Sequence, residues 1–585
     1  MSAFLNVELS TTGRRWVGPT PEADRLAEAM MQTARLPLPL ARILVNRGVA
    51  PADAASFLDP QLRNLLPDPR VLKDMDRAAA RFVKALQARE RIAIFADYDV
   101  DGGASAALLL VWLRGLGHGA TLYIPDRIDE GYGPNVAAMQ ALAADHDLIL
   151  CVDCGTLSHE PVAAAVAEAD VVILDHHLGG ETLPPALALV NPNRQDESGD
   201  LGHLCAASVV FLMLVEANRL LREAGLAAPD LLSMLDLVAL ATVADVAPLV
   251  GVNRALVRQG LKVLARRDRV GLRALADVAR MNQSPTAYHL GFLLGPRVNA
   301  GGRIGAADLG ARLLATDNPA EATALAERLD QLNRERRAIE EEVRTHALAQ
   351  AEARGVDGPL VWAAGDGWHP GVVGIVAARL KEATHRPAIV IGFDGADGKG
   401  SGRSVAGVDL GAAIQRLAAE GLLLKGGGHK MAAGLSLTRD QLEPAMARLS
   451  DLLARQGAGH EGPRDLRIDG LLTTGAATAE LIEDLERAGP FGQAAPAPRF
   501  AFSDVHITHV RRMGETHLRC SFTDGTGPAL DALAFGAFDG PLGPLISAHG
   551  GLPLHLAGRL ELNHWNGRTR VQLRLEDAAP ARRDG

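Results

Sequence analysis

The chain has 585 residues, 48% of them hydrophobic and 22% charged, and this composition excludes a disordered chain, a collagen-like fibre and a small disulfide-stapled scaffold. The net charge of −10 excludes a protein that coats nucleic acid with a uniformly basic surface. Charge is nevertheless segregated, because residues 253–312 contain eleven Lys and Arg against three Asp. This basic segment indicates either a polyanion-binding site or a solvated helix face.

Four cysteines in so long a chain are typical of a protein from a reducing compartment. Residues 1–18 lack the apolar core of a signal peptide. The best apolar run, residues 104–113, is shorter than the roughly 18 residues that a membrane helix needs. We therefore expect a cytoplasmic protein without a membrane segment.

After an N-terminal segment of small helices, buried strands alternate with helices. Short apolar runs predict five strands, at residues 92–96, 121–124, 148–152, 171–174 and 187–190. Helical patterns lie between them, at residues 104–114, 135–144 and 161–169. This alternation predicts an α/β fold with a doubly wound, mostly parallel sheet. The pattern then becomes nearly all helical over residues 203–316.

A polar stretch without Gly or Pro, residues 321–354, predicts one helix about 50 Å long that joins two domains. A smaller α/β pattern follows, with strands at residues 360–363, 388–391 and 433–437 and a helix near 410–420. A linker at residues 456–463 leads into short strands with turn signals, and Asn566-Gly567 predicts a hairpin among them. About 110 residues of this kind predict a C-terminal β-barrel.

The strand at residues 92–96 runs into a loop that carries Asp97, Asp99 and Asp101 and then two glycines. Alternate residues of an extended chain lie on one side, so we expect these three carboxylates to lie together. Three like charges repel one another unless a multivalent cation lies among them. The alternative is a polar loop or an isolated calcium loop, although the distal Glu of an EF-hand is missing.

Two further predicted strands end in similar residues. Asp153 follows the strand at 148–152, and Asp175, His176 and His177 follow the strand at 171–174. Ligands bind at the carboxyl ends of parallel strands, so we expect these side chains to converge in one crevice. Asp245 is a further candidate, because an acid in an apolar helix needs a cationic partner. Each Asp alone is also typical of a helix cap, but carboxylates together with imidazole favour Mn²⁺ or Mg²⁺ over structural zinc.

Cys151 and Cys154 form a C-x-x-C pattern, which is typical of a redox pair or of half a zinc site. The other two cysteines, Cys205 and Cys520, are remote in the chain, and Asp153 lies between the pair. We therefore expect Cys151 and Cys154 to pack as small hydrophobic residues.

The motifs that extend these observations are Asp97-Tyr-Asp-Val-Asp-Gly102, Val152-Asp-Cys-Gly155, Asp175-His-His177, Ala241-Thr-Val-Ala-Asp-Val-Ala-Pro-Leu249, Leu294-Gly-Pro-Arg-Val-Asn-Ala-Gly-Gly-Arg303, Trp368-His-Pro-Gly-Val-Val-Gly-Ile375, Gly400-Ser-Gly-Arg-Ser404, Gly426-Gly-Gly-His-Lys-Met-Ala-Ala-Gly434 and Pro490-Phe-Gly492. Together they resemble the DHH phosphoesterase superfamily and, within it, the RecJ family of single-stranded-DNA-specific exonucleases. The resemblance covers roughly residues 35–575. Two positions depart from the family pattern: Cys154 replaces the usual Asn, and Gln493-Ala494-Ala495 replaces the usual Gly-Asn. Neither departure removes a candidate metal ligand.

The resemblance implies an N-terminal helical segment at residues 1–75, a DHH catalytic domain at 76–318, a connecting helix at 319–355, a smaller α/β DHHA1 domain at 356–455 and an OB-fold for nucleic acid at 464–578. It implies a hydrolase that cuts phosphodiester bonds of single-stranded DNA from 5′ to 3′, releases 5′-mononucleotides and acts in DNA repair and recombination. Two cations about 3.5–4 Å apart can clamp a scissile phosphate and generate hydroxide at neutral pH.

We expect six metal ligands for Mn²⁺ or Mg²⁺, namely Asp97, Asp99, Asp101, Asp153, His176 and Asp245. Asp175 and His177 complete the expected catalytic set. If the strand continues past residue 174, His176 and His177 point to opposite sides, so that one ligates metal and the other contacts phosphate.

Phosphate recognition needs cationic and backbone donors. We expect Arg297, Asn299 and Arg303 in a loop inside the basic segment. Ser401, Arg403 and His429 are expected on glycine-rich loops of the second domain, where they hold the nucleotide across the interdomain cleft. The barrel offers a sequence-tolerant groove for single strands, in which Phe535 and Trp565 are candidates for base stacking, although a core role is the alternative.

The expected partner is single-stranded DNA, with a single-stranded-DNA-binding protein and a helicase as further candidates, and we expect a monomer. One alternative is a DHH relative that hydrolyses very short oligonucleotides, phosphoadenosine phosphate or cyclic dinucleotides, but such proteins are generally shorter and lack the barrel. Another is a catalytically inactive replication scaffold of the Cdc45 kind. Such scaffolds lose metal-site carboxylates, and all of these are present here.

Overall fold

The computed structural model describes residues 3–127, 130–459, 464–565 and 568–581. The chain divides into two compact units: Met1–Leu66 with Pro248–Arg258 and Glu461–Gly585 form one, and Pro67–Ala247 with Gln259–His460 form the other. Within the described ranges, every helix is too short or too polar to cross a membrane.

The N-terminal residues form one short strand and four helices. These are β1 (Arg14–Val17), α1 (Pro21–Ala34), α2 (Leu38–Asn46), α3 (Ala54–Leu58) and α4 (Leu62–Leu65). The Thr20 hydroxyl caps α1 by accepting a hydrogen bond from Ala23 N–H, and Pro21 tolerates the first helical position because no helical N–H bond is needed there. The small helices predicted for this segment are confirmed.

A parallel sheet with flanking helices follows. Its elements are α5 (Met75–Ala88), β2 (Ile92–Ala96), α6 (Val100–Gly115), β3 (Thr121–Tyr123), α7 (Val136–Asp145), β4 (Leu148–Val152), α8 (His159–Ala165), β5 (Asp170–Leu174) and β6 (Ala188–Val190). The strand order is β3-β2-β4-β5-β6, and every neighbouring pair is parallel. Ala96 pairs with Val152, and Val152 pairs with Leu174, so the carboxyl ends of β2, β4 and β5 lie level. The predicted parallel sheet is confirmed.

The next stretch is helical, as its pattern predicts. It comprises α9 (Ala206–Glu223), α10 (Leu235–Ala244), α11 (Gly251–Arg266), α12 (Val270–Val278), a π-helical segment (His289–Leu294), α13 (Gly295–Ile304), α14 (Leu309–Ala315) and α15 (Pro319–Arg354). Helix α15 has 36 residues, which corresponds to about 54 Å. The predicted long helix is therefore confirmed.

A second, mixed sheet follows α15. Its elements are β7 (Val361–Asp366), α16 (Pro370–Thr384), β8 (Ala388–Asp394), β9 (Asp397–Arg403), α17 (Leu410–Ala419), β10 (Lys425–His429), β11 (Ala432–Thr438) and α18 (Leu442–Arg455). The strand order is β10-β11-β9-β8-β7, and only β7 and β8 are parallel among these pairs. One face packs on α16 and the end of α15, and the other packs on α17 and α18.

The glycine-rich segments of this sheet are strands, so their prediction as loops is wrong. Ser401 and Arg403 lie in β9, and Gly426 to His429 form β10. The reason is pairing: His429 lies opposite Ala432, and Ala432 lies opposite Arg403, in continuous antiparallel ladders. This register places Arg403 and His429 in one row across three strands.

The C-terminal residues form the predicted barrel. Before the barrel, β12 (Arg464–Arg467) pairs in parallel with β1 in a separate two-stranded sheet. The elements that follow are β13 (Gly470–Leu471), α19 (Ala479–Glu486), β14 (Phe500–Met513), β15 (His517–Thr523), β16 (Leu530–Ala534), α20 (Leu542–Ser547), β17 (Leu554–Trp565) and β18 (Arg568–Pro580). The order β14-β15-β16-β18-β17 closes because β17 also pairs with β14. Phe500, Phe502 and Phe522 fill the core, which continues into α1 and α2. The predicted hairpin turn at Asn566-Gly567 and residues 460–463 of the predicted linker lie outside the described residues.

We predict that Gly102→Ala destabilises the fold, whereas the neighbouring Gly103→Ala does not. A Cβ on Gly102 would lie 2.4 Å from the Asp97 carbonyl oxygen, so the turn between β2 and α6 must shift, at a cost of about 1–3 kcal/mol. A Cβ on Gly103 would lie 3.5 Å from Ala311 N, an ordinary contact, and alanine favours the helix. Urea-unfolding midpoints of the two variants check this; equal midpoints contradict it.

Candidate active site

The three aspartates after β2 lie in three different parts of the backbone: after the strand, at the helix cap and in the first helical turn. Asp97 directly follows the strand, and Asp99 caps α6 by accepting hydrogen bonds from Asp101 N–H (2.8 Å) and Gly102 N–H (3.1 Å). Asp101 lies in the first turn of that helix. The predicted alternation along an extended chain is therefore wrong, because the Asp99 cap starts the helix at Val100.

Asp101 links α6 to the start of α9. Its two carboxylate oxygens accept hydrogen bonds from Ala206 N–H (2.7 Å) and Ala207 N–H (2.8 Å), and the residue is 1% exposed. A helix N-terminus carries partial positive charge and stabilises a carboxylate there. Burial and the charge of Asp99 still raise the pKa of Asp101, although His176 and these N–H groups oppose the rise.

Asp153 follows β4 with a left-handed backbone, at φ 60°. This conformation is uncommon for residues other than Gly, and it occurs repeatedly at functional sites. The Tyr132 hydroxyl donates a hydrogen bond to the Asp153 carbonyl (3.0 Å). His176 Nε2 lies 3.2 Å from Asp153 Oδ1 and 3.6 Å from Asp101 Oδ2, and His176 Nδ1 lies 3.9 Å from Asp245 Oδ2. His176 thus lies among three carboxylates.

Asp175 is fully engaged by hydrogen bonds and orients the histidine pair. Oδ2 accepts from Thr156 N–H and hydroxyl, and Oδ1 accepts from the backbone N–H groups of His176 and His177 and contacts His177 Nδ1 at 2.8 Å. Burial would raise the pKa of Asp175, but the hydrogen bond and charge of His177 outweigh it and lower this pKa. Burial would lower the pKa of His177, but Asp175 raises it to about 9.

The two histidine rings lie side by side instead of pointing apart. Their centroids are 4.7 Å apart, with planes inclined by 59°. The strand β5 ends at Leu174, so alternation does not apply to His176 and His177. His176 lies among the carboxylates, and His177 contacts Asp175 and the Tyr132 hydroxyl, 3.1 Å away.

The candidate metal ligands form three groups whose donor atoms lie within 4.8 Å of one another. These groups are Asp97, Asp99 and Asp153; Asp101, His176 and Asp245; and Asp153, His176 and His177. Asp153 and His176 belong to two groups each, so the groups are contiguous. All six predicted metal ligands lie in them.

The electrostatics of this cluster fit a bound cation. Asp97 Oδ1 and Asp153 Oδ1 are buried and accept no hydrogen bond from the residues that the structure describes. Burial, together with neighbouring carboxylates, raises the pKa of Asp97 and of Asp153 well above the ordinary value, and raises the pKa of Asp245 to about 9. Carboxylate oxygens with imidazole nitrogen are a donor set that suits Mn²⁺ or Mg²⁺.

A cationic wall faces the carboxylates across a cleft of ≈ 460 Å³ within the same compact unit. Residues from β9, β10, β11 and the end of α13 line this wall; they are Arg303, Ser401, Arg403, Gly428, His429, Ala432, Ala433 and Gly434. Arg403 donates hydrogen bonds to the Ser401 hydroxyl (2.9 Å) and the Gly402 carbonyl (2.8 Å). Four of the residues predicted to bind substrate, Arg303, Ser401, Arg403 and His429, therefore meet here.

The cations of this wall are poorly neutralised. Burial lowers the pKa of Arg303 to about 10 and also lowers the pKa of Arg403, and the charge of Arg127 adds to both effects. Burial and the charge of Arg403 lower the pKa of His429. Arg303 donates to the Gly371 carbonyl (3.1 Å), a neutral acceptor. An anion in the cleft would stabilise the charged forms and raise these pKa values again.

Arg297 and Asn299 do not line the cleft. Their segment is helix α13 and not the predicted loop, so their side chains follow helical spacing. Arg297 donates to Asp330 of α15 (2.9 Å) and to the Leu293 carbonyl (2.7 Å). Asn299 Oδ1 accepts from Val100 N–H (3.0 Å) and fixes the start of α6. Arg297 thus connects α13 to α15, and Asn299 connects α13 to α6, so both support elements around the cleft without lining it.

Three cleft residues escaped the sequence reasoning: Tyr98, Arg127 and Tyr132. The guanidinium of Arg127 lies 5.3 Å from the centre of the Tyr98 ring, a cation–π contact. A signal did exist, because Arg127 and Tyr132 follow the carboxyl end of β3, at the same edge of the sheet as the other strand-end residues.

Comparison with known proteins gives three family matches along the chain. The DHH family N-terminal domain matches residues 91–242, the DHHA1 domain matches 357–455, and the RecJ OB domain matches 468–577. Single-stranded-DNA-specific exonuclease RecJ of Dickeya dadantii is 40% identical, covering 93% of this chain and 96% of that protein. The Escherichia coli K12 protein of the same name is 38% identical, covering 96% and 98%.

The chain belongs to the RecJ family. The crystal structure of RecJ from Thermus thermophilus in complex with Mn²⁺ superposes with a TM-score of 0.79 at 31% identity, covering 96% of this chain and 79% of that one. The Mg²⁺ complex of the same protein gives 0.73 at 30% identity. The α/β, DHHA1 and OB-fold architecture expected from the resemblance to the RecJ family is thus confirmed. Cys151 and Cys154 are free and buried in the apolar core, as expected of packing residues.

We predict opposite stability effects from neutralising two strand-end carboxylates. Without metal at pH 8, Asp153→Asn raises the melting temperature, by about 1 °C for each kcal/mol of repulsion removed in a unit of this size. The raised pKa of Asp153 means that its charged form destabilises the folded state as pH rises, so the gain is smaller at pH 5. Asp175→Asn lowers the melting temperature at both pH values, because the lowered pKa of Asp175 stabilises the fold above about pH 4.

Differential scanning fluorimetry in EDTA and in Mn²⁺ checks both signs. Mn²⁺ should stabilise the wild type. It should stabilise the Asp153→Asn variant much less, because the substitution removes a carboxylate that would bind the ion. A lower melting temperature for Asp153→Asn in EDTA contradicts the repulsion argument.

Proposed function

We propose that this protein is a metal-dependent exonuclease that degrades single-stranded DNA from 5′ to 3′ and releases 5′-mononucleotides, in DNA repair and recombination. One observation carries the proposal. A cluster of buried carboxylates with imidazole faces a wall of arginine and histidine across one cleft, so divalent cations and a phosphodiester can bind together. Relatives that carry the name single-stranded-DNA-specific exonuclease RecJ align along nearly the whole chain.

We infer that two ions of Mn²⁺ or Mg²⁺ are the cofactors. The group of Asp97, Asp99 and Asp153 and the group of Asp101, His176 and Asp245 would hold them. The RecJ crystal structures with Mn²⁺ and with Mg²⁺ support this choice. When bound, such ions polarise the phosphodiester and lower the pKa of a bound water, so that hydroxide forms at neutral pH.

The chain's own residues orient the reaction. Asp175 contacts Nδ1 of His177 and raises the pKa of this histidine to about 9, which favours an imidazolium that can donate to a phosphate oxygen. Asp175 also fixes the backbone of both histidines, which places His176 among the carboxylates. Preorganised donors of this kind avoid reorganisation when charge develops on the phosphate.

The phosphate contacts come from five side chains that line the cleft, namely Arg127, Arg303, Ser401, Arg403 and His429. A guanidinium binds phosphate through two parallel N–H bonds, which favours arginine at such positions. If this wall holds the terminal 5′-phosphate, the first diester lies at the carboxylates, and cutting proceeds from that end. This geometry is our explanation of 5′→3′ direction.

The barrel supports binding of the strand beyond the cleft. Phe535 is 55% exposed, and Arg574 and His517 lie 5.5 and 5.3 Å from its ring. An exposed aromatic residue beside an arginine is typical of a groove that stacks single-stranded bases. The side chain of Trp565, the other candidate, lies outside the described residues.

We propose further that the protein is a cytoplasmic monomer that works with a single-stranded-DNA-binding protein and a helicase. Four buried, unpaired cysteines support a reducing compartment. The decisive experiment for the function is digestion of a 5′-phosphorylated, 3′-labelled single strand with Mn²⁺, beside a duplex and an EDTA control. Release of labelled mononucleotide only at the end of the reaction supports 5′→3′ direction, and equal digestion of the duplex contradicts the specificity.

We predict that Asp153→Ala abolishes hydrolysis but leaves the fold and single-strand binding largely intact. Asp153 contributes to two ligand groups, and its loss removes several kcal/mol of transition-state stabilisation. The measurements are single-turnover rates in saturating Mn²⁺ and strand binding by fluorescence anisotropy. Turnover above about a tenth of the wild-type value counts decisively against this role.

We predict that the wild type cuts a 5′-phosphorylated strand about ten- to a hundredfold faster than its 5′-hydroxyl twin. A terminal phosphate carries close to two charges, and a charge-assisted contact contributes about 1.5–3 kcal/mol. Arg403→Ala should shrink this ratio more than it weakens strand binding, because barrel contacts are distributed along the strand. The measurement is kcat/KM for both strands at fixed salt.

Equal wild-type rates on both strands would refute terminal-phosphate recognition. An unchanged ratio in Arg403→Ala would remove Arg403 from that role and leave Arg127 and Arg303 as the cations to test.

A further inference from the structure

Tyr288 and Phe292 form a stacked aromatic pair on the surface of the unit that contains the cleft. Their ring centroids are 5.1 Å apart, and the planes are inclined by 24°. Tyr288 is 59% exposed and Phe292 is 66% exposed, whereas Leu290 and Leu294 on the same segment are fully buried. Aromatic side chains usually contribute to stability by burial, so this exposed pair is placed for contact with a ligand.

The segment that contains the aromatic pair lies next to the candidate metal ligand Asp245. It belongs to the π-helical segment and the residue before it, and such segments are frequent at functional sites. A Cβ on Gly291 would lie 3.3 Å from Val243, and a Cβ on Gly295 would lie 3.2 Å from Ala244. Val243 and Ala244 are the last residues of α10, directly before Asp245. The segment therefore packs on the turn that presents Asp245 to the cleft.

The surroundings of the pair favour a polyanion over a protein. Residues 278–307 contain no Asp or Glu, although the whole chain is acidic, and Arg280 is exposed. The exposed neighbours are polar and uncharged, namely Asn282, Gln283, Ser284 and Thr286. Within residues 278–307, the exposed large apolar side chains are Tyr288 and Phe292, and two rings are far below the roughly 800 Å² per partner of a stable protein interface. Two rings do match the size of nucleobases.

We propose that Tyr288 and Phe292 are a stacking platform for unpaired bases of the strand that leads away from the Asp245 side of the cleft. This rests on the proposed exonuclease function and adds a base-binding position to the phosphate contacts. Stacking tolerates every base, because each base has a π face. Duplex bases are already stacked on their neighbours, so the platform selects single strands.

The test is an abasic scan. Strands of about 20 nucleotides with a 5′-phosphate each carry one abasic position among the first ten, and kcat and KM are measured in Mn²⁺. In the wild type, at least one position should raise KM about tenfold, within the range of one lost base–aromatic stack. The double variant Tyr288→Ala with Phe292→Ala should show that raised KM on the intact strand and no further rise at that position.

Tyr288→Phe and Phe292→Trp keep a π face and should retain the wild-type profile. If the double alanine variant fails to fold, Phe292→Leu, which keeps apolar bulk without a π face, should lose sensitivity at the same position. Identical abasic profiles in the wild type and the variants without a π face would overturn the platform, as would a wild-type profile with no sensitive position. A wild type that cuts none of the strands would instead defeat the proposed function.

Discussion

Buried carboxylates at the carboxyl edge of the first sheet repel one another, and the structure around them is organised by this repulsion. The strand register brings β2, β4 and β5 to the same level, so the residues that follow them cannot avoid one another. Some of this charge is compensated within the protein, as at Asp101, which accepts two N–H bonds from the start of α9. Asp97 and Asp153 each keep a buried oxygen without a hydrogen bond from the described residues. The uncompensated charge is what a divalent cation would neutralise.

Asp153 and Asp175 show how the surroundings divide two roles between identical side chains. They follow neighbouring strands at equivalent positions, because Val152 pairs with Leu174. Asp175 is surrounded by donors, its pKa is lowered, and it acts as a support for the two histidines. Asp153 is buried near four other carboxylates, and its pKa is raised. Hydrogen-bond donors around Asp175 and like charges near Asp153 thus separate the positioning residue from the candidate ligand.

The strand-end rule explains why much of this site could be predicted from sequence. Apolar runs locate the strands, and a parallel sheet then requires Asp97, Asp153 and His176 to share one edge. Local backbone geometry could not be predicted in the same way. The cap at Asp99 turns an expected extended segment into a helix, and α13 turns Arg297 away from the cleft. Arg127 was missed because it lies four residues beyond the end of β3, whereas Asp97, Asp153 and Asp175 directly follow their strands.

The two walls of the cleft carry opposite, individually unfavourable charges. Burial raises the pKa of the carboxylates on one wall and lowers the pKa of Arg303 and Arg403 on the other. Cations on the first wall and a phosphate on the second neutralise each wall and also attract each other. By thermodynamic linkage, each ligand must then increase the affinity for the other by the same factor. If cations and a terminal phosphate occupy the two walls as proposed, they bind cooperatively, and the chemistry is confined to a strand whose end occupies the cationic wall.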